Sequence, residues 1–364
     1  MEITAAVVRK AGAGFQLEIC ELGEPGPGEV RIKVEACGVC HTDVAARDQH
    51  MPVPLPAVLG HEGVGRIEML GAGVTSFNVG DRVLASFGSC GLCVNCNDGA
   101  PGYCDLGLVY MLMGTRANGS SPITQGGAPL TGHFFAQSSM ASYAVVSVNC
   151  LVKIDENIPA EIAAPLACGV QTGAGAVLLS MQAKAGKAIA IMGAGTVGLS
   201  AIMAAKIVGC SPIIAVDLMD SRLDMAKELG ATHVLRGDTN ALDEKILALG
   251  GSDYALDTTG VPAIAEIALN TLKKRGMLVC VGVGKPETSL MSVDMGMLMA
   301  TGRQIRGVVE GDAIPKDFIP RLIEYYAEGL LPIDKIVTTY SFENINTAVN
   351  DSLSGKTIKP VLIM

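Results

Sequence analysis

Apolar positions in the first 150 residues fall in short runs, 30–35, 64–70, 82–86 and 142–146, separated by Pro-Gly and Gly-Asp pairs. Runs of that length bounded by turn residues predict β-strands, and no long amphipathic helix interrupts them. From about Glu161 the pattern changes. Apolar strand-like segments at 188–192, 213–216, 254–257 and 277–281 alternate with helix-like segments at 199–208, 222–229 and 264–272. That rhythm predicts β-α-β units around a parallel sheet. From Glu310 onward the pattern supplies one helix, 317–328, and a closing apolar strand, 359–364. With no repeat and no long linker, the expectation is two domains sharing a tight interface and a cleft.

Two stretches, 163–183 and 188–205, carry no charge over the length of a membrane span. Gly, Ser, Thr, Gln and Pro dilute them, and such runs also arise where a buried parallel strand enters a packed helix. No membrane span is therefore expected. Composition adds that 364 residues, 49% apolar and 17% charged, suffice for two cores. A net charge of −9 argues against nucleic acid as a partner. The opening Met1-Glu2-Ile3-Thr4 has no basic and apolar signal pattern, which predicts a cytoplasmic protein. In a reducing compartment, clustered members of the eleven cysteines read first as metal ligands or reactive thiols.

Gly193-Ala194-Gly195-Thr196-Val197-Gly198 matches G-x-G-x-x-G between an apolar strand and an apolar helix. Glycines there let the backbone approach a pyrophosphate, which sits on the positive end of the following helix. Asp217 ends the next strand, where a carboxylate accepts from both adenosine ribose hydroxyls and repels a 2′-phosphate, favouring NAD over NADP. Arg222, one helical turn on, is the feature that pulls the other way.

Cys90, Cys93, Cys96 and Cys104 lie close enough in one Gly- and Asn-rich loop to close a tetrahedral shell around Zn²⁺, a structural site with no position left for substrate. An iron–sulfur cluster is the alternative, although the spacing fits neither ferredoxin pattern. Cys37-Gly38-Val39-Cys40-His41 is open to three readings. As C-x-x-C-H it is a haem attachment motif, but such proteins are exported and Gly60-His61-Glu62 goes unexplained. As a redox C-x-x-C it lacks a thioredoxin-like context. In the third reading Cys40, His61 and Cys168 are three zinc ligands that leave a fourth position open.

Taken together, Gly38 to Asp43 (G-V-C-H-T-D), Gly60 to Glu62, the four-cysteine loop, Cys168-Gly169 with Thr172-Gly173, and the glycine motif with Asp217 resemble the zinc-dependent medium-chain alcohol dehydrogenases over essentially the whole chain. Arg47-Asp48-Gln49, Pro52 to Pro56, His133 to Ser139 and Val308 to Gly311 make it most similar to the bacterial aryl-alcohol (benzyl alcohol) dehydrogenases. The resemblance implies an α/β plus mostly-β chain. A GroES-like catalytic domain would comprise 1–169 and 310–364 with a structural-zinc lobe at 88–106, and a doubly wound Rossmann domain would comprise 170–309 and bind NAD. It implies two Zn²⁺ per subunit and a homo-oligomer, dimer or tetramer.

By that resemblance Cys40, His61 and Cys168 bind the catalytic zinc, with Glu62 a transient ligand and Asp43 holding the far N–H of His61. Thr42 would take the alcohol proton. His41 would face the cofactor pyrophosphate, Thr172 and Val197 press the nicotinamide, Val281 and Val308 offer backbone groups to its carboxamide, and Lys359 reach a phosphate. Many relatives carry a histidine three residues after the relay hydroxyl, where this chain has Ala45. The implied reaction is reversible, NAD-dependent oxidation of primary aromatic or allylic alcohols to aldehydes. Phe87, Phe134 and Phe135, three of only seven phenylalanines, would form a flat slot for a planar substrate. A geraniol-type or general aliphatic alcohol dehydrogenase is the alternative, and a non-catalytic NAD-binding zinc protein the remote one.

Overall fold

The computed structural model describes residues 1–364, the side chain of Pro286 excepted. The chain divides into two compact units. One contains Met1–Cys168, Ile314–Glu324 and Ile333–Met364; the other contains Gly169–Ala313 and Tyr325–Pro332. The second boundary thus differs from the expected 310. The segment after Val309 belongs with residues 169–175 because Gln171 and Thr172 donate to Glu310, and Gly311 packs on Gly175 so closely that a Cβ on Gly175 would meet its carbonyl at 2.5 Å.

The first unit is built on two sheets. A five-stranded sheet runs in the order Ala57–Val58, Glu2–Val8, Gln16–Leu22, Ile123–Gln125, Ala128–Pro129. A seven-stranded sheet runs Leu151–Lys153, Arg82–Ala85, Gly63–Leu70, Glu29–Gly38, Lys359–Ile363, Val337–Ser341, with Tyr143–Ser147 also on Glu29–Gly38. Glu29–Gly38 is its hub: Val30, Ile32, Val34 and Ala36 alternate into the core, as a sheet with one face covered requires. Register then does what sequence spacing alone cannot. Cys37 pairs with Gly63 and Gly38 pairs with Val361, so the end of one strand and the beginnings of two others converge on one point. Gly38 has to be glycine there, since an added Cβ would fall 1.8 Å from a Glu62 carboxylate oxygen.

The second unit is a six-stranded sheet in the order His233–Arg236, Ile213–Asp217, Ile189–Met192, Ser252–Asp257, Leu272–Cys280, Gln304–Gly307, every pair parallel. In chain order that is 3-2-1-4-5-6, the dinucleotide-binding arrangement. Ile189–Met192 is buried throughout, which explains why it reads as a continuous apolar run. The expectation of one helix after Glu310 is corrected: a second, Ile345–Leu353, follows, burying Ile345, Ala348 and Val349 at the i, i+3, i+4 spacing of an apolar face. Among the described residues, no single helix is long and apolar enough to cross a membrane.

Candidate active site

At the convergence of strands in the first unit, the ligand atoms of Cys40, His61, Glu62 and Cys168 all lie within 4.8 Å of one another. Cys40 caps the helix His41–Arg47, and Asp43 organises that turn. Its carboxylate, fully buried, accepts from the Cys40 N–H at 2.9 Å, the Gly60 N–H at 3.0 Å and His61 Nδ1 at 3.0 Å. Accepting from Nδ1, the Asp43 carboxylate fixes the His61 tautomer and leaves a lone pair on Nε2. Among the described residues that buried Nε2 has no hydrogen-bond partner, and it lies beside Sγ atoms of Cys40 and Cys168 that are 4.0 Å apart. Such an atom costs on the order of 1–3 kcal/mol unless something binds it, and two thiols with one imidazole are the donor set of an open zinc site. The residues therefore fit a zinc ion. A hydrogen bond from Cys168 is the main reason the Cys40 thiol is held well below its usual range, with His61 and Lys359 adding to it.

Lys359 differs from expectation. Its ammonium is buried and contacts both Glu62 oxygens, at 2.7 and 2.8 Å, and the Val39 carbonyl at 3.1 Å. Its charge is engaged by Glu62, a buried carboxylate that needs a counter-ion, so the expected reach to a cofactor phosphate would have to share the ammonium with Glu62. Burial works against the ammonium, and Glu62 outweighs it, so its pKa is raised. Removing one member of such a pair typically costs about 3–5 kcal/mol.

Phe135 tilts over His61 with ring centres 4.5 Å apart, and Phe134 meets it edge-on at 5.8 Å. Phe87 belongs to the same apolar cluster. The rings are 2%, 0% and 5% exposed for Phe87, Phe134 and Phe135, so Phe135 presents the most accessible aromatic surface. Thr42 Oγ1 lies 3.7 Å from Cys40 Sγ, and His41 is exposed on the first turn of its helix. Ala45 is buried in that helix.

The second cysteine cluster is local. Cys90, Cys93, Cys96 and Cys104 also bring their sulfurs within 4.8 Å of one another, around the short helix Val94–Asn97. Backbone N–H groups of Leu92 and Cys93 point at Cys90 Sγ, and that of Cys90 at Cys104 Sγ, at 3.2–3.4 Å. The N–H of Leu92 foremost, and that of Cys93, bring the Cys90 thiol down to about 6, and four sulfurs gathered this closely fit a thiolate-bound metal.

In the second unit the glycine loop leads from Ile189–Met192 into the helix Thr196–Val208. Gly193 has φ +94°, and a Cβ on Gly198 would lie 1.8 Å from the Gly193 carbonyl, so both positions exclude other residues. Asp217 Oδ2 accepts from Ala194 N–H at 2.7 Å, which seats the carboxylate at the loop. The Arg222 guanidinium lies beside Gly195, its buried Nε without a partner. Thr172 Oγ1 donates to Glu310, while the Val281 and Val308 N–H groups are bonded to Asp257 and Cys280 carbonyls, so a ligand could meet these valines only at their carbonyls. The helix N-terminus behind glycines that permit close backbone approach fits a dinucleotide. Sequence reasoning missed Glu310, Gln137 and Ser86 as individual residues; a buried amide or hydroxyl bonded to distant carbonyls leaves no periodic signal.

Residues 26–156 match the alcohol dehydrogenase GroES-like domain family, and residues 196–328 the zinc-binding dehydrogenase family. A geraniol dehydrogenase from Castellaniella defragrans is 38% identical over 99% of this chain and 97% of its own length. The crystal structure of benzyl alcohol dehydrogenase from Acinetobacter calcoaceticus is 43% identical, covers 100% of this chain and 99% of its own, and superposes with a TM-score of 0.96. A zinc-binding domain alcohol dehydrogenase from Burkholderia ambifaria is 44% identical with the same coverages and TM-score. The chain belongs to the zinc-type alcohol dehydrogenases, enzymes of small-molecule alcohols and aldehydes that use NAD and zinc.

Proposed function

We propose that this enzyme reversibly oxidises primary aromatic alcohols of the benzyl alcohol type to aldehydes, with Cys40, His61 and Cys168 holding the catalytic zinc and Cys90, Cys93, Cys96 and Cys104 a structural one. The observation that carries the substrate reading is the aromatic wall: Phe135 and Phe134 pack on the His61 ligand ring. The likeness to a benzyl alcohol dehydrogenase supports it. An allylic alcohol of the geraniol type is the second reading, favoured by the 38% identical geraniol dehydrogenase; its conjugated double bond would meet the same rings.

When bound, zinc supplies a Lewis acid that lowers the pKa of an alcohol oxygen, and NAD supplies the acceptor for the hydride. The chain supplies position and proton handling. Asp43 orients His61, the Lys359–Glu62 pair neutralises the charge behind the thiols, and Thr42, beside Cys40, is placed to take the alcohol proton through its hydroxyl. His41, exposed on the next position, faces the cofactor pyrophosphate in this reading. Glu62 would serve as a transient ligand only by loosening its grip on Lys359. On the cofactor side, Gly193 to Gly198 would seat the pyrophosphate, Asp217 would take the ribose hydroxyls, and Thr172 and Val197 would press on the nicotinamide. The alcohol loses one hydride and one proton, giving aldehyde, NADH and H⁺. Two thiol-rich metal sites suit a reducing, cytoplasmic setting. The exposed edge strand Gln304–Gly307 and the exposed Leu290, Met295 and Met299 support a homo-oligomer.

NADH formation at 340 nm over benzyl alcohol, geraniol, cyclohexylmethanol and ethanol tests the reading. Benzyl alcohol should lead in kcat/KM; ethanol in front would overturn it. Asp217→Ala should raise KM for NAD about tenfold and relax discrimination against NADP, since a carboxylate acceptor and its repulsion of a 2′-phosphate are both lost.

A further inference from the structure

The loop that presents Phe134 and Phe135 is under backbone constraint: Phe135, Ala136 and Ser138 all have φ between +52° and +60°, a region disfavoured for residues with side chains. Such a loop keeps its shape only if its surroundings hold it. The Ser138 hydroxyl, which accepts from the Phe134 N–H and donates to the Val58 carbonyl, anchors one side of it, and Gln137, at its centre and fully buried, anchors it to the ligand turn. The Gln137 Nε2 is directed at the carbonyls of His61 (3.0 Å), Ala85 (3.1 Å) and Ser86 (2.6 Å). Its Oε1 accepts from the Gly63 N–H at 3.2 Å and the Ser139 hydroxyl at 2.8 Å. The amide orientation follows from the partners: the three groups around Nε2 are carbonyls that share its two N–H donors, and the two groups around Oε1 are donors.

Gln137 thereby brackets the metal-ligand turn on both sides, at the carbonyl of His61 and the amide of Gly63. The same side chain reaches the end of the strand Arg82–Ala85, and the Ser86 hydroxyl donates to the Ala167 carbonyl at 2.6 Å, immediately before Cys168. One amide and one hydroxyl therefore connect the His61 ligand, the approach to the Cys168 ligand and the aromatic loop. Every partner in these contacts is a group of the chain itself.

We infer that Gln137 is a positioning residue that sets the geometry of the Cys40–His61–Cys168 site and locks the Phe134–Phe135 wall to it. This rests on the assignment of that site to a catalytic metal. Its effect travels through the backbone of His61 and Gly63, as partners behind metal ligands generally orient them and tune the metal.

Gln137→Met keeps the length and removes the hydrogen bonds. With both sites loaded with Co²⁺, the visible ligand-field absorption of this site should change shape. A chelator should then strip one metal of the two about ten times faster or more, while the four-cysteine metal leaves at the parental rate. In the zinc enzyme kcat should fall about 10–100-fold, with KM for NAD within twofold. A parental absorption and release rate in Gln137→Met would overturn the inference, as would equal acceleration at both metals, which marks a general loss of structure. If that variant does not fold, Ser139→Ala, which deletes one donor to Gln137, should show the same selectivity at smaller size, and parental behaviour there overturns it equally. A parent protein that holds metal only in the four-cysteine loop would instead refute the site assignment itself.

Discussion

The two cysteine clusters of the first unit solve the same coordination problem from opposite directions. Cys90, Cys93, Cys96 and Cys104 come from one stretch of fifteen residues, with backbone N–H groups of their own loop pointing at the sulfurs. Cys40, His61 and Cys168 come from segments far apart in sequence, brought together by strand register and held by the buried side chains of Asp43 and Gln137. The local set has four ligands and closes on itself. The long-range set leaves His61 Nε2 unpartnered and an aromatic wall beside it. In the proposed assignment a local loop folds around its ion, so metal and stability would be one quantity there. A site assembled by the sheet would exist before its ion arrives, which would leave coordination free for chemistry.

The sharpest way to break this contrast is to weaken one ligand in each cluster. Cys168→Ser should lower kcat on the order of a thousandfold, about 4 kcal/mol of barrier, and still give a folded protein that binds NAD by fluorescence titration. Cys96→Ser should act on stability first, a loss of several kcal/mol that lowers Tm by about 10 °C in a thermal melt, with the remaining folded fraction still turning over. If the Cys168 variant unfolds while the Cys96 variant melts like the parent, the roles are reversed.

The same contrast explains what was legible in the sequence. The four-cysteine loop and the glycine motif are local, and both stand where their spacing puts them. The strands at 30–35 and 64–70 were readable from apolar runs, but the pairing of Cys37 with Gly63 was not, because register depends on partners far along the chain. Lys359 illustrates the cost. At the start of a closing strand a lysine reads as exposed, whereas the pairing of Val361 with Gly38 carries it inward onto Glu62. The strand Gln16–Leu22 escaped for a different reason: Leu17 and Ile19 point outward and blur the alternation. The helix Ile345–Leu353 did carry an i, i+3, i+4 pattern, in a stretch too short and polar to stand out.

A smaller perturbation sharpens the comparison by acting behind the ligands. Asp43→Asn keeps the shape but removes the charge that three N–H groups address, one of them His61 Nδ1. Metal affinity at the catalytic site should fall about 10–100-fold in chelator competition, the usual effect of losing such a partner, while the four-cysteine metal keeps its affinity. Equal loss at both sites would mean that the two clusters share one fate.

The smallest effect concerns the wall that only the long-range cluster possesses. Phe135 lies 4.5 Å from the His61 ring and 4.8 Å from Phe134, and is the least enclosed of the three phenylalanines near the site. Phe135→Leu retains an apolar side chain of similar bulk, so it removes the quadrupole and flatness of the ring while leaving most of the apolar burial. An aromatic pair contributes about 0.5–1.5 kcal/mol beyond that burial, which sets the expected loss of kcat/KM for benzyl alcohol at roughly 2–12-fold. Cyclohexylmethanol is as large but has no π face, and ethanol reaches no wall, so both should change less than twofold. The ratio of benzyl alcohol to cyclohexylmethanol efficiency is therefore the informative quantity, because a general shift of His61 would lower all three substrates together. A proportional fall across the panel would place Phe135 with the positioning elements around His61, and an unchanged ratio would remove the planar slot from the account of substrate choice.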